Sequence, residues 1–144
     1  MISNSVSNTV IETLKELVPP EYVHVQEPMS KHTTFRIGGC ADCLVEIGST
    51  EELRKVQHYL RQVEIPYVIT GNGSNLLVGD KGYRGVVLQL GGRFAQVTTD
   101  GCRITAQAGA LLSRIARTAL EKGLTGFEFA AGIPGTAGGA VVMN

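Results

Sequence analysis

The stretch LVEIGSTEELRKVQHYLRQVEIPYVITGNGSN, residues 44–75, decides the fold. It opens on Leu44-Val45-Glu46-Ile47, a short run that reads as a strand. Ser49 and Thr50 then stand at a helix cap, and Glu51 and Glu52 fall in the first turn, where the helix dipole favours negative charge. Leu53, Val56, Leu60 and Val63 recur on one face of that helix, and Pro66 stops it. Tyr67-Val68-Ile69 is a second strand run, and it breaks at Gly71. Strand, helix and strand in this order predict a small parallel sheet with a crossover helix.

Working outward, residues 9–18 read as a short helix. Ile11, Leu14, Leu17 and Val18 share a face, Thr9 with Glu12 has the form of a capping box, and Pro19-Pro20 ends the run. Residues 23–27 read as extended, and Pro28 leads into a polar loop. Val86-Val87-Leu88 supplies a further strand. The second half changes character. Residues 94–98 and 103–107 read as two short strands around the hairpin dipeptide Asp100-Gly101. Leu112, Ile115, Ala116, Ala119 and Leu120 form one face of a third helix, closed by Gly123. The chain ends on Ala140-Val141-Val142-Met143, an apolar run expected to be interior, so the ending reads as a cut rather than a natural terminus.

The 144 residues suit one domain with a real core. Lys plus Arg and Asp plus Glu balance at 13 each, which gives no charge excess pointing to nucleic acid or an anionic membrane. No apolar stretch is long enough to span a bilayer, and the first residues lack the basic start and apolar run of a signal peptide, so a cytoplasmic location is the simplest reading. Cys40 and Cys43 form a CxxC, but Cys102 is remote and no second pair exists, so no metal site is expected. His24, His32 and His58 are dispersed and receive no role. The chain has eighteen glycines, unevenly spread, with bunches at 71–73, 91–92, 132–139 and in Gly38-Gly39, where backbone must turn tightly or approach something closely.

Three segments carry chemistry. In TGNGSNLLVGD, residues 70–80, a buried strand runs straight into Gly71-Asn72-Gly73-Ser74-Asn75. Two glycines let successive N–H groups point at one spot, a nest suited to phosphate, and Ser74 and Asn75 add uncharged donors. No Walker lysine follows, and Leu76 occupies the last glycine position of a dinucleotide GxGxxG pattern. The alternative is a plain glycine turn. In AAGIPGTAGGAVVMN, residues 130–144, four glycines and a proline fall within 132–139 with no charged side chain. That composition fits backbone packed on a flat or elongated ligand, or else a tight corner packed on protein. In HTTFRIGGCAD, residues 32–42, Thr33, Thr34 and Arg36 precede a glycine pair, in a cleft-supporting or simply solvated loop.

Together and in this order, HTTFRIGGCAD, GNGSNLLVGDKGYRGVVL, the strand end AQAGA at 106–110 and GLTGFEFAAGIPGTAGGAVVMN resemble the UDP-N-acetylenolpyruvoylglucosamine reductase (UDP-N-acetylmuramate dehydrogenase) family. They resemble more loosely the p-cresol methylhydroxylase/vanillyl-alcohol oxidase class of FAD-binding domains. The matches span residues 28–144. Cys40 departs from the family pattern, which has proline there.

The resemblance implies an α+β fold of two subdomains with FAD between them. After an N-terminal helical extension at 1–22, it places one subdomain at 23–92 and a second, incomplete one at 93–144, with a substrate-binding domain further downstream. It implies that Gly71, Asn72, Gly73, Ser74 and Asn75 hold the FAD pyrophosphate. Gly132, Ile133, Pro134, Gly138, Gly139 and Asn144 would border the flavin and its ribityl chain, and Thr34, Arg36 and Gly38 would support the same cleft. It implies NADPH as reductant and a nucleotide-sugar substrate, UDP-N-acetylglucosamine enolpyruvate, reduced to UDP-N-acetylmuramate for peptidoglycan precursor synthesis. The family's catalytic arginine, serine and glutamate lie downstream of the position matching Asn144, so no catalytic residue is expected here, nor any obligate protein partner. Two alternatives stay open: another flavin oxidoreductase of the same fold class, and a non-catalytic nucleotide-binding module.

Overall fold

The computed structural model describes residues 6–143. Asn144, one of the expected flavin-bordering residues, lies outside the described residues.

Helix α1 (Asn8–Leu17) starts one residue earlier than its periodicity predicts, because Ser7 takes the cap and accepts from the Val10 N–H at 3.4 Å. The box expected at Thr9 and Glu12 does not form. Thr9 is already inside the helix, and Glu12 pairs instead with Lys15 at 2.9 Å. Strands β1 (Val23–Pro28), β2 (Cys40–Glu46), β3 (Tyr67–Thr70) and β4 (Tyr83–Gln89) form one sheet in the order β1-β2-β4-β3. β1 runs antiparallel to β2, and β4 runs parallel to both β2 and β3. The crossover helix α2 (Thr50–Gln62) joins β2 to β3 as the sequence predicts, but the two strands it joins are not neighbours, since β4 lies between them.

Both faces of this sheet are covered. On one, Val10, Leu14 and Val18 of the first helix and its cap, with Val56 and Leu60 of α2, pack on Cys43, Val45, Val86 and Leu88. On the other, Met29, Leu44 and Val87 form a smaller cluster with Val68, Leu76 and Val78 packed against it. This second face is roofed by the 3-10 turn Met29–Lys31 and by loop residues, so the segments after Pro28 and after Asn75 are pinned to the sheet by their own apolar side chains. In β4, Arg84 and Gly85 stand opposite the single residue Asp42 of β2. Asp42 is buried at that irregularity, and its carboxylate is satisfied by Arg84 at 2.7 Å and by the Gly85 N–H at 3.1 Å.

The chain leaves β4 through a 3-10 turn, Gly92–Phe94, where a strand start was expected. Arg93 explains the difference. Its guanidinium donates to the Glu46 carbonyl at 2.6 Å, pairs with Glu52 at 3.1 Å and lies 3.7 Å from the centre of the Tyr22 ring. These contacts hold the segment against α2 before the hairpin begins. The hairpin is β5 (Val97–Asp100) and β6 (Arg103–Ala106), turning at Gly101 with φ +55. Helices α3 (Leu112–Glu121) and α4 (Ala137–Met143) follow. Leu112, Ile115, Ala110 and Ala130 form a third cluster with Ile104, Ala106, Phe127, Ala137 and Ala140 packed on it. The terminal apolar run is not interior: α4 turns Ala137 and Ala140 to this cluster and leaves Val141 and Val142 more than 80% exposed. Among the described residues no helix is long and apolar enough to cross a membrane.

Candidate functional site

Residues 71–75 leave the C-terminal end of β3, the end of a parallel strand where ligands bind in open sheets of this type. None of the five backbone N–H groups from Gly71 to Asn75 donates to a carbonyl among the described residues. A glycine-bearing turn with its amides free is a nest for an anion. The turn is held from outside. The Thr34 N–H donates to the Gly73 carbonyl at 3.1 Å, and Gly73 has φ +70. A Cβ on Gly73 would strike the His32 carbonyl oxygen and lie 3.0 Å from Thr33 Cα. Gly73 is therefore glycine because the 32–34 backbone lies against it. The spacing alone attributes that close approach to a ligand.

The 32–39 segment is seated in the same manner. Gly38 has φ +129 and would place a Cβ 2.8 Å from that of Val78, and the Gly39 N–H donates to the Gly79 carbonyl at 2.9 Å. Arg36 adopts φ +55 and is exposed.

The second glycine segment arrives from the other side. Leu111 and Thr136 form an antiparallel bridge, with the Leu112 N–H on the Gly135 carbonyl at 3.1 Å and the Ala137 N–H on the Ala110 carbonyl at 2.8 Å. Thr136 is buried, and its Oγ1 accepts from the Gly139 N–H at 3.3 Å at the start of α4. Gly138 donates to the Ala108 carbonyl at 2.8 Å and would set a Cβ 2.8 Å from that of Ala108. Gly138 and Gly139 thus serve the corner, while Gly132 has open space where a Cβ would stand.

Between the two segments lies an open cleft of about 320 Å³. Of the residues singled out in the sequence, Thr34, Asn72, Ser74, Gly132, Ile133 and Pro134 line it. Gly71, Gly73, Asn75, Arg36, Gly38, Gly138 and Gly139 do not line it and stand around it. Ala131 and Gly135, members of the 130–144 run, also line it, as do Leu111 and Ser113, which carried no sequence signal. Leu111 and Ser113 belong to the start of α3, which only the bridge to Thr136 brings to the cleft.

The donor set fits FAD. Thr34, Asn72, Ser74 and Ser113 offer neutral hydrogen-bonding groups, Leu111, Ile133 and Pro134 offer apolar wall, and no acidic side chain lines the cleft to repel a diphosphate. The space in front of Gly132 is one that any side chain there would fill.

Comparison with known proteins gives the same direction. The UDP-N-acetylenolpyruvoylglucosamine reductase of Caldanaerobacter subterraneus subsp. tengcongensis is 53% identical over 135 residues, which cover 94% of this chain and 44% of that protein. The protein of the same name from Clostridioides difficile is 47% identical over 131 residues, covering 91% and 43%. The chain thus spans less than half the length of these relatives. The crystal structure of UDP-N-acetylenolpyruvylglucosamine reductase from Thermus caldophilus superposes with a TM-score of 0.65 at 38% identity, over 83% of this chain and 42% of that one. A p-cresol methylhydroxylase shares the fold, with a TM-score of 0.61 at 17% identity over 81% of this chain and 25% of that one. The family described as FAD binding domain matches residues 41–144, from β2 through the last glycine segment and therefore across both walls of the cleft, and this chain belongs to it.

Proposed function

We propose that the chain is the FAD-binding part of an NADPH-dependent reductase that converts UDP-N-acetylglucosamine enolpyruvate to UDP-N-acetylmuramate in the cytoplasm, with 23–92 and 93–144 as the two subdomains flanking the flavin. One observation carries this reading. Two glycine segments some sixty residues apart in sequence converge on one cleft whose lining is neutral and donor-rich. The identities of 53% and 47% to proteins named for that reaction support the substrate class.

On this reading the chain's own residues bind and orient. The free amides of 71–75, with the side chains of Asn72, Ser74 and Asn75, hold the pyrophosphate. Gly132, Ile133 and Pro134 offer a flat, side-chain-poor wall to the flavin, with Gly138 and Gly139 holding the corner behind it. Thr34 reaches the cleft, while Arg36 and Gly38 shape the loop that carries it. Bound FAD supplies hydride transfer between NADPH and the enolpyruvyl group. The donors that stabilise the developing enolate and the acid that protonates carbon are assigned to residues outside this chain.

Two measurements test the assignment. The full-length protein, purified, should show flavin absorbance and should turn NADPH over catalytically only when the enolpyruvyl nucleotide sugar is present. Gly73→Val should fold yet lose its flavin, because the Cβ forces residues 71–75 off the His32 and Thr33 backbone. A folded Gly73→Val protein with normal flavin content would remove the pyrophosphate role from this turn.

A further inference from the structure

Gly71 and Thr136 belong to different glycine segments, yet each occupies the other's space. A Cβ on Gly71 would run into Thr136 Oγ1 and lie 3.3 Å from its Cγ2. At the neighbouring residue the relation is reversed: Gly135, at φ +132, faces Ser74, whose Oγ would stand 3.2 Å from a Cβ at 135. A glycine on each strip thus receives a hydroxyl-bearing side chain of the other. Thr136 cannot swing away freely. It is 2% exposed, β-branched, bridged to Leu111 and committed through Oγ1 to the Gly139 N–H.

We propose that Thr136 is a positioning residue: its side chain, seated in the hollow at Gly71, sets the separation of the two segments and so the width of the FAD cleft. The inference rests on the FAD-binding reading and adds what gauges the cleft. Neither residue lines the cleft: Gly71 offers its backbone amide to the turn, and Thr136 acts on the cofactor only through the separation of the two backbones. The interlock makes the cleft preformed, and flavin binding does not have to draw the two walls together.

The geometry gives a compensating pair. Gly71→Ala alone puts a methyl against Thr136 Oγ1 and wedges the segments apart. Removing both branches with Thr136→Ala leaves only Cβ against Cβ at 3.4 Å, an ordinary contact. In the full-length protein, flavin dissociation constants would be measured for the wild type, Gly71→Ala, Thr136→Ala and the double variant, with apoprotein thermal midpoints alongside. Gly71→Ala should weaken flavin binding about tenfold to a hundredfold, the usual range for overpacking a tight contact. The double variant should bind within about threefold of Thr136→Ala alone, a rescue that two independent defects do not give. Thr136→Val supplies a second reading that does not depend on the glycine variant folding. It loses the hydroxyl cap as Thr136→Ala does but keeps the branched shape, so it should bind flavin more tightly than Thr136→Ala. Unchanged affinity in Gly71→Ala, additive losses in the double variant, or equal losses in Thr136→Val and Thr136→Ala would each overturn the proposal. A wild-type protein that takes no flavin at all would instead overturn the FAD-binding reading beneath it.

Discussion

Glu27 and His32 meet at 2.9 Å under the segment that supports the 71–75 turn, with Lys31 at 3.7 Å from the same carboxylate oxygen. Burial pulls the Glu27 carboxyl upward, but the hydrogen bond to His32 and the nearby charge of Lys31 outweigh it, so the group titrates below its ordinary value of 4.5. A carboxyl whose folded pKa is lowered stabilises the fold fully above the unfolded value, and loses that contribution as pH falls through the folded one. Urea midpoints measured against pH should therefore show a smaller acid loss, below about pH 4.5, in Glu27→Gln than in the wild type, and a lower midpoint for the variant at neutral pH. Parallel curves for the two proteins would mean that the pair does not support this loop. Cys43 gives a second residue-scale test. It is fully buried, and burial, aided by the charge of Asp42, pushes its thiol up to about 12. A thiol so protonated is a poor ligand and nucleophile. Cys102, which is exposed, should react with a thiol reagent in the folded protein, Cys43 only after unfolding, and Cys43→Ala should retain its flavin.

At the scale of the element, α2 starts more firmly than α1. Ser49 Oγ accepts from the Glu52 N–H at 3.1 Å, and Glu52 returns a carboxylate oxygen to the Gly48 N–H at 2.7 Å. The cap of α1 rests on a single longer contact, 3.4 Å from the Val10 N–H to Ser7 Oγ. Ser49→Ala should cost about 1 kcal/mol of unfolding free energy and Ser7→Ala less, read from denaturant midpoints. The periodicity of residues 44–69 showed α2 and its flanking strands because the apolar spacing there repeats without interruption. The Ser7 cap was hidden by Thr9-Glu12, a pattern two residues further on with the right letters and the wrong place. The turn at 92–94 was hidden because its cause is Arg93 reaching Glu46, Glu52 and Tyr22, contacts made across the fold. Of the cleft lining, Asn72, Ser74 and residues 131–135 were legible as members of glycine-rich runs, and Thr34 as part of the polar loop before Gly38-Gly39. Leu111 and Ser113 were not, because a helix start carries no mark of what it will face. Gly73 was legible as a glycine that something must approach, while the approaching group, the His32 carbonyl, was not.

At the scale of the whole molecule, the proposed reading separates holding the flavin from using it. Both walls of the cleft lie within this chain, and the proposed enolate-stabilising donors and carbon acid do not. The 144-residue chain alone, supplied with FAD, NADPH and the enolpyruvyl substrate, should therefore show no substrate-dependent NADPH oxidation. Positioning of the substrate, worth roughly 7–11 kcal/mol of barrier in well-oriented reactions, would be missing as well. Activity within about tenfold of the full-length protein at matched flavin occupancy would place the chemistry inside these residues.

The seat of β4 between β2 and β3 has a consequence for synthesis. Every parallel pairing in the sheet involves residues 83–89, so a nascent chain that has emerged only through Thr70 can pair β1 with β2 and nothing else. The first glycine segment is then a tether between an unseated strand and a strand still in the ribosome. It gains its shape when β4 slides into the vacancy and draws β3 after it. On the proposed reading, the first wall of the flavin cleft takes shape only after Gln89 has cleared the exit tunnel, and the second only after Gly135 has, however early Gly71 appears.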